Sequence, residues 1–294
     1  MKQHRVPYGV PSMDVARYLR RAYPLLPERL LREAIRNRDI RVNGAKYQAG
    51  QTIQGGDEIL LYIPDARFDA SLDFAFDDGR LLAPIKPQGL PVDADQDGIG
   101  QDTLLTRLRS KYPSAQLCNR LDAATGGLVI AAADEATYRS ALAAFAEKSV
   151  DKTYVALAKG GFSQTEGDLR AYLAKDAASS KVRILQRGGS GAKPIETRYR
   201  VLWDDGAMAV LALFPITGRT HQLRAHMADF GHPLLGDDKY GDRMFNREHP
   251  GGLRLWCTEI RFASNGAMSA YHDARICSPM PAWFPKFLTE DNKQ

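Results

Sequence analysis

The stretch CNRLDAATGGLVI, residues 118–130, places two charged side chains directly before a run with the composition of a buried strand. Arg120 and Asp122 are separated by a single residue, and the turn residues Thr-Gly-Gly lead from them into the apolar run. Burying a charge costs free energy unless the charge is paired or used. The stretch therefore indicates either a turn with solvated charges or a functional site.

The composition is that of a globular protein: of 294 residues, 44% are hydrophobic and 26% are charged. This length predicts two domains. No apolar run approaches the roughly 20 residues needed to cross a bilayer, and the start, MKQHRVPYGV, lacks the apolar core of a secretory signal. The three cysteines, Cys118, Cys257 and Cys277, are widely spaced. We therefore expect a protein of the reducing cytoplasm.

The positive charge is concentrated at the start of the chain. Residues 1–63 contain 11 Lys and Arg against 6 Asp and Glu, which accounts for the whole formal net charge of +5. Such asymmetry favours an anionic partner, with nucleic acid as the first candidate. A solvated basic face is the alternative interpretation.

The segment LPERLLREAIRNRDIRVNG, residues 26–44, supports nucleic acid as the partner. Its apolar residues follow a helical period, and its arginines at i, i+3 and i+7 share one helical face. A short strand and an Asn-Gly hairpin turn follow. A row of guanidinium groups suits the phosphates of a nucleic-acid backbone. The candidate RNA-binding residues in this segment are Arg29, Arg32, Arg36 and Arg41.

Residues 12–63 resemble the small RNA-binding domain first described in the fourth protein of the small ribosomal subunit. The matching positions are Ile40, Val42, Asn43, Gly44, Gly56, Asp57 and Ile59. The resemblance implies an RNA-binding module over residues 1–63. The acidic, weakly periodic residues 64–78 are interpreted as a linker.

From residue 79 onward, short apolar runs alternate with Gly and Pro turns and are typical of strands. Helices are expected over 134–149 and about 219–230, and a single strand over 127–133. Strands and helices do not alternate strictly. The sequence therefore predicts an α+β protein: a small basic α/β module, then a mixed, largely antiparallel sheet flanked by helices over 79–294.

The stretch ITGRTHQLRAHMADFGHPLLGDDKYG, residues 216–241, is dense in groups that can carry chemistry. Three histidines, His221, His226 and His232, raise the question of a metal. Their spacing lacks the HExxH pattern, and no carboxylate or thiol lies between the first two. Hydrogen bonding or packing is therefore the favoured interpretation, and no metal is expected.

Four motifs in order resemble those of RluA-type pseudouridine synthases. They are APIKPQGLPV (83–92), NRLDAATGGLVIAA (119–132), KTYVALAKG (152–160) and GRTHQLRAHMADFGHPLLGDDKYG (218–241). The resemblance implies an enzyme that detaches the base of a uridine in RNA from its ribose, turns it over and rejoins it through carbon. It implies no metal and no organic cofactor.

The resemblance also implies roles for particular residues. Asp122 matches the essential carboxylate, which acts as nucleophile or proton acceptor, and Arg224 matches its cationic partner. Tyr154 would stack on the target base and offer its hydroxyl for proton transfer. Arg120 would fill the space left in the RNA when the target nucleotide is extruded.

The remaining motif residues are expected to shape the site; they are Lys86, Pro87, Gly218, Arg219, His221 and Gln222. Two other interpretations of Lys86 and Lys152 are open: they contact phosphates, or they are solvated surface residues. Asn119, an expected RNA contact, stands where the family usually has His, and it cannot titrate near neutral pH. Cys257 stands where the family commonly has Ala.

The favoured function is a pseudouridine synthase that acts on large-subunit ribosomal RNA. Transfer RNA is an alternative substrate, and a non-catalytic RNA-binding or ribosome-assembly protein of the same fold is an alternative function. A hydrolase with a pair of carboxylates is a third class, although no partner acid is apparent near Asp122 in the sequence. The expected partner is structured RNA, bound by a monomer without a membrane or a cofactor.

Overall fold

The computed structural model describes residues 1–63, 71–94, 98–176, 181–264 and 266–290. These residues form two compact units, the first drawn from 1–73 and 89–115, the second from 74–88 and 116–294. Of the expected linker 64–78, residues 64–70 lie outside the described residues. Its last part does not behave as a linker, because Phe74–Asp77 forms a strand that pairs within the second unit.

The first unit contains a four-stranded sheet, a two-stranded sheet and three helices among its described residues. Its strands are β1 (Lys2–Arg5), β2 (Met13–Asp14), β3 (Ile40–Val42), β4 (Ala45–Lys46), β5 (Thr52–Ile53) and β6 (Glu58–Leu61), and its helices are α1 (Val15–Ala22), α2 (Glu28–Asn37) and α3 (Leu104–Lys111). The larger sheet has the order β1-β6-β3-β4, and β2 pairs with β5.

The predicted basic helix and hairpin are confirmed as α2 and the β3–β4 pair. Helix α2 buries Leu31 and Ala34 against the core of the unit. Asn43 and Gly44 connect the strands with φ angles of 50° and 79°. Two successive positive φ angles define the hairpin turn that the Asn-Gly pair favours.

Residues 89–115, which the sequence pattern assigned to the second domain, belong to the first unit. Ile99 lies in the core of that unit, and the backbone N–H of Asp102 donates to the carbonyl of Ala22 at 3.0 Å. Arg107 binds Asp102 with two hydrogen bonds of 2.6 and 2.8 Å and donates to the carbonyl of Ser71 at 3.3 Å. The first unit therefore depends on contacts that are remote in sequence.

The second unit is built on one large sheet. Its strands are β7 (Phe74–Asp77), β8 (Leu81–Lys86), β9 (Gln116–Leu117), β10 (Gly126–Leu128), β11 (Ala131–Ala132), β12 (Val150–Lys159), β13 (Glu166–Lys175), β14 (Val182–Leu185), β15 (Lys193–Asp204), β16 (Met208–Pro215), β17 (Leu255–Phe262) and β18 (Arg275–Cys277). The main path is β14-β13-β15-β16-β12-β17-β10-β8-β11-β9, with β18 on β17 and β7 on β8. Its pairs are antiparallel except β10 with β17, which confirms the predicted α+β class.

The helices of the second unit are α4 (Glu135–Ala146), α5 (Gln222–Asp229), α6 (Arg243–Glu248) and α7 (Phe287–Glu290), with a short 3-10 helix at Ser269–Tyr271. Helix α5 begins later than the expected residue 219, because His221 has a left-handed φ of 55°. The single strand expected over 127–133 is wrong, since β10 and β11 are separate strands. Among the described residues, no helix is long and apolar enough to cross a membrane.

Strand β10 brings the turn that contains Asp122 to the middle of the sheet. It lies between β17 and β8, and β17 also pairs with β12, the strand that carries Tyr154. Gly127 has a φ of 104°. A side-chain carbon on Gly127 would lie 2.2 Å from the carbonyl oxygen of Cys257. Only glycine lets β10 approach β17 this closely.

Candidate active site

The turn that carries Asp122 is tied to the backbone at both ends. The carbonyl of Asp122 accepts the N–H of Thr125 at 3.1 Å. The side-chain oxygen of Asn119 accepts the N–H of Ile130 at 2.7 Å, so this oxygen serves the turn rather than a ligand. Arg120 is exposed, whereas the Asp122 side chain is 22% exposed. The turn thus separates its two charges: Arg120 reaches solvent, whereas Asp122 is largely shielded from it.

The guanidinium of Arg224 lies beside Asp122 but is held mainly by another carboxylate. Nη1 of Arg224 is 3.4 Å from Oδ2 of Asp122. Nε and Nη2 donate to the two oxygens of Asp237, both at 2.7 Å, and Nη2 also donates to Asp238 at 2.8 Å. Burial opposes the charge of Arg224, but its bonds to Asp237 and the nearby carboxylates raise its pKa. Arg224 is 3% exposed, and the Nη1 edge of its charged guanidinium faces Asp122.

Sequence reasoning missed Asp237, although it lies within the quoted stretch 216–241. Its Oδ1 accepts the backbone N–H groups of Lys239 and Tyr240 at 2.8 and 3.0 Å, the pattern of an Asx turn. Burial favours the neutral acid, yet hydrogen bonds and charge from Arg224 lower the pKa of Asp237. The Asp-x-x-Tyr spacing was the available signal for this turn, but it did not predict the ion pair.

A histidine completes the surroundings of Asp122. Nε2 of His221 lies 3.9 Å from Oδ1 of Asp122, and Nδ1 lies 2.9 Å from the hydroxyl of Tyr240. That hydroxyl accepts the N–H of Val182 at 2.8 Å, so its own proton is available to donate to Nδ1. Burial lowers the pKa of His221. The negative charge of Asp122 offsets part of this shift, and the positive charge of Arg224 adds to it. When the Tyr240 hydroxyl donates to Nδ1, the proton of the neutral ring lies on Nε2, on the side of Asp122.

Lys86 lies at the end of β8, where its register partner on β10 is Gly127. Its side chain is fully buried, and Nζ donates to the carbonyls of Ala123 and Pro87 at 3.0 and 3.1 Å. Burial lowers the pKa of Lys86 to about 7, against the attraction of Asp122. The interpretation of Lys86 as a phosphate contact or solvated surface is wrong, because a buried amine bonded to the Asp122 loop cannot reach RNA phosphates.

Tyr154 on β12 faces Cys257 on β17 as its register partner. Tyr154 is 7% exposed and Cys257 is fully buried. Burial raises the pKa of Tyr154 well above its usual value, and Cys257 and Asp122 add to the increase. Burial also raises the pKa of Cys257 to about 12, although its hydrogen bond with Tyr154 acts in the opposite direction. Both groups therefore remain protonated and form a neutral pair next to Asp122.

Gln222 anchors the start of α5. Its amide nitrogen donates to the carbonyl of Glu196 at 2.9 Å and to Oγ1 of Thr197 at 3.1 Å. Its oxygen accepts the hydroxyl of Thr217 at 2.8 Å and the N–H of Arg219 at 3.1 Å. These bonds hold the helix that presents Arg224. The Arg219 side chain and the neighbouring Gly218 are exposed.

The three histidines of the motif bind different protein groups. His226 is 3.1 Å from Oγ1 of Thr197, His232 is 2.9 Å from the carbonyl of Lys159, and His221 binds Tyr240 as described above. Within the part of the chain that the structure describes, no three His, Cys, Asp or Glu side chains are grouped to hold a metal ion. Hydrogen bonding accounts for all three rings.

The basic residues of α2 lie in the first unit and are exposed. Arg29, Arg32 and Arg36 line a surface groove of about 300 Å³ together with Glu33. Acidic residues of the same helix lie near two of them, at 3.6 Å for Arg29 with Glu33 and 3.7 Å for Arg32 with Glu28. The arginine row is therefore partly neutralised, which the spacing of the arginines alone did not indicate.

Arg41 of the first unit is half-buried. Its guanidinium lies over the exposed ring of Tyr62, 5.5 Å from the ring centre. A cation over an aromatic face is a stable arrangement at a protein surface. Arg41, the fourth candidate RNA-binding arginine, is thus placed apart from the α2 row and next to an aromatic ring.

The fold agrees with the sequence comparisons. Residues 81–229 match the family described as RNA pseudouridylate synthase, and the chain belongs to that family. It is 33% identical over 256 residues to ribosomal large subunit pseudouridine synthase C of Rickettsia conorii, covering 79% of this chain and 83% of the relative. The protein of that name from Escherichia coli is 29% identical over 248 residues, covering 79% and 77%.

A solved structure supports the same assignment. Human RNA pseudouridylate synthase domain containing 1 superposes with a TM-score of 0.60 at 26% identity, covering 74% of this chain and 86% of that one. The chain is a pseudouridine synthase of the RluA type, and hence an isomerase. The expected class of enzyme is confirmed.

Proposed function

We propose that this enzyme converts uridine to pseudouridine in large-subunit ribosomal RNA and that Asp122 is the carboxylate that acts on the target nucleotide. The names of the relatives from Rickettsia conorii and Escherichia coli support the choice of RNA. The observation that carries the role of Asp122 is its setting: a partly exposed carboxylate that faces Arg224 and His221.

The reaction needs an ionised carboxylate that is open on one side. The bond between C1′ of the ribose and N1 of uracil breaks, the base turns over, and a bond forms between C1′ and C5. The proton on C5 leaves and N1 gains a proton, so the product is an isomer of the substrate. Asp122 serves by attacking the sugar carbon, by attacking the base or by taking up the proton, and all three routes start from its anion.

The neighbours of Asp122 suit these steps. Arg224 compensates the carboxylate charge, because its other two nitrogens are fixed by Asp237. The protonated hydroxyl of Tyr154 is able to donate to the base, and its ring supplies a face for stacking. Arg120 is exposed next to the pocket and would occupy the gap left by the extruded nucleotide.

Hydrolysis of the glycosidic bond is the weaker alternative. A hydrolase of this kind needs a second carboxyl group with a raised pKa to protonate the leaving group. Asp237 is buried and bound by Arg224, and its pKa is lowered. Asp237 is therefore unsuited to act as a general acid.

The proposal extends to the first unit, in which residues 1–63 act as an RNA-binding module like that of the fourth small-subunit ribosomal protein. The exposed arginines of α2 and the β3–β4 hairpin support this assignment. A separate RNA-binding module favours a large folded RNA as substrate. The enzyme would act as a monomer in the cytoplasm, where ribosomal RNA is modified.

The test is to map pseudouridine in ribosomal and transfer RNA from cells with the gene, without it, and with only the Asp122→Asn variant. We expect one or more large-subunit sites to be lost in the deletion and in the variant. The variant should retain its melting temperature and RNA affinity, because Asn is nearly isosteric with Asp. Loss of sites from transfer RNA alone would contradict the choice of substrate, and a fully active variant would contradict the role of Asp122. Free uracil released from RNA would indicate a hydrolase.

A further inference from the structure

A polar groove of about 440 Å³ lies in the second unit at the loop that leads into α5. Its volume is within the range of small-ligand sites. It lies where the middle of β13 pairs with the start of β15, and Thr217 of the loop forms one wall. The side chains that matter for its chemistry are Lys148, Arg170, Tyr172, Gln186, Glu196 and Thr217.

The groove adjoins the catalytic residues through the loop. The hydroxyl of Thr217 donates to Gln222, the first residue of α5. A side-chain carbon built on the next residue, Gly218, would lie 3.9 Å from Nζ of Lys152. Lys152 precedes Tyr154 by two positions on β12. The loop therefore connects the groove to the helix that carries Arg224 and passes beside the strand that carries Tyr154.

The chemistry of the groove suits a nucleotide. Lys148 and Arg170 are exposed, and Glu196 neutralises one of these cations through an ion pair of 3.1 Å with Arg170. Tyr172 is half-buried, and its ring packs near Gly188, where an added side-chain carbon would be 3.0 Å away. The groove therefore combines a net positive charge with an aromatic ring that packs against the neighbouring backbone.

We propose that this groove binds a nucleotide that flanks the target uridine in the RNA. Lys148 and Arg170 contact its phosphates, and Tyr172 contacts its base or ribose. Charge-assisted contacts to phosphate and stacking on an aromatic ring are the two usual means of holding single-stranded RNA. The inference rests on RNA being the substrate of the Asp122 site.

The first test measures binding of a fluorescent uridine pentanucleotide to the full chain. Arg170→Gln should weaken binding and reduce the slope of log affinity against log salt by about 0.7, the value for one phosphate of a single strand. Arg198→Gln is the matched control, because Arg198 is also exposed on the same pair of strands and bonded to Asp168 at 3.0 Å, but does not line the groove. Equal effects of the two substitutions would overturn the proposal.

The second test uses an RNA fragment that the wild-type enzyme modifies. Tyr172→Leu should raise KM by ~10-fold or more with kcat nearly unchanged, since stacking contributes to binding rather than to chemistry. Tyr172→Phe should restore the wild-type KM. When the fragment is shortened to the target nucleotide, the wild type and Tyr172→Leu should have the same KM.

The outcomes separate this inference from the proposed function. If the wild type modifies ribosomal RNA but Tyr172→Leu retains the wild-type KM on the longer fragment, the groove is not a nucleotide site and the function stands. If the wild type modifies only other RNA, the choice of substrate fails, while the pentanucleotide measurement still decides the groove.

Discussion

Arg224 and Asp237 form a buried ion pair with two hydrogen bonds of 2.7 Å, whereas Arg224 approaches Asp122 only to 3.4 Å. The stronger partner of the guanidinium is thus the fully buried carboxylate of Asp237, not the partly exposed one of Asp122. Two bonds fix the plane of the guanidinium, and the third nitrogen is held toward Asp122. In this arrangement Asp237 positions Arg224, and Asp122 keeps one side free for the substrate.

Removing the charge of Asp237 should destabilise the enzyme. Asp237→Asn leaves a buried cation with incomplete compensation, and breaking a buried pair in this way typically costs about 3–5 kcal/mol. Asp238 binds the same guanidinium at 2.8 Å but is 76% exposed. Asp238→Asn should therefore cost less than about 1 kcal/mol. Urea unfolding of the two variants tests the contrast, and similar losses would show that the bidentate pair is not the main support of Arg224.

The neutral pair of Tyr154 and Cys257 gives a second prediction. Cys257→Ala introduces the residue that the family commonly has at this position and leaves the Tyr154 hydroxyl in place, so kcat and KM should both stay close to the wild-type values. Tyr154→Phe removes the hydroxyl and should lower kcat while KM changes little. Steady-state kinetics on an RNA substrate test the contrast, with melting curves to identify any variant that has lost its fold. An alanine variant with a strongly reduced kcat would show that Tyr154 depends on Cys257.

The activity lost on replacing Arg120 should depend on the structure of the RNA, whereas the activity lost on replacing Arg224 should not. Arg120 is exposed, so Arg120→Ala should leave the melting temperature nearly unchanged. Its activity defect should be large on a stacked target and small on a flexible one, because less unstacking is needed. Arg224→Lys cannot reproduce the bidentate geometry and should be inactive on both substrates. A defect of Arg120→Ala that is equal on both RNAs would argue against its role in the extruded state.

The arginine row of α2 should contribute to the salt dependence of RNA binding. Replacing Arg29, Arg32 and Arg36 by Gln in the full chain should reduce the slope of log affinity against log salt by about 0.7–0.9 for each phosphate that these arginines neutralise. The full chain is required, because residues 89–115 pack in the same unit as 1–73. Arg139→Gln is a matched control for Arg32→Gln, since both are exposed helix residues with a glutamate four positions earlier. An unchanged slope in the triple variant would exclude α2 from the RNA interface.

His4 makes the stability of the first unit depend on pH. Burial lowers the pKa of His4 to about 4, below its ordinary value of 6.5, while Nδ1 lies 3.0 Å from the hydroxyl of Tyr23. Between these two values the unfolded chain binds more protons than the folded one. The free energy of unfolding should therefore rise with pH over this window and fall as the pH drops through it.

The variant His4→Gln isolates this contribution. Because Gln does not titrate, the difference in melting temperature between wild type and variant should change between pH 6.5 and 4 and be constant above pH 7. A difference that is the same at every pH would show that His4 is not the responsible group.

Much of the fold was predictable where local patterns dominate. The basic helix α2 and the β3–β4 hairpin followed from apolar periodicity and the Asn-Gly pair, and the strand-rich second unit followed from β-branched runs between turns. The boundaries of helices and domains were harder to predict from the sequence. The start of α5 shifted because the left-handed His221 and the anchor Gln222 depend on β15. Residues 89–115 joined the first unit through the hydrogen bonds of Asp102 with Ala22 and of Arg107 with Ser71.

The sequence by itself determined the class of enzyme, because motif order and residue type carry the resemblance that names Asp122, Tyr154 and Arg224 as candidates. Only the tertiary structure decided which groups surround Asp122. Lys86 and Asp237 are polar residues whose burial no local pattern indicated; Lys86 is buried against the carbonyl of Ala123, 37 positions away, and Asp237 against Arg224, 13 positions away. Burial and charge pairing depend on distances in space, and contacts between remote segments leave no local pattern in the order of residues.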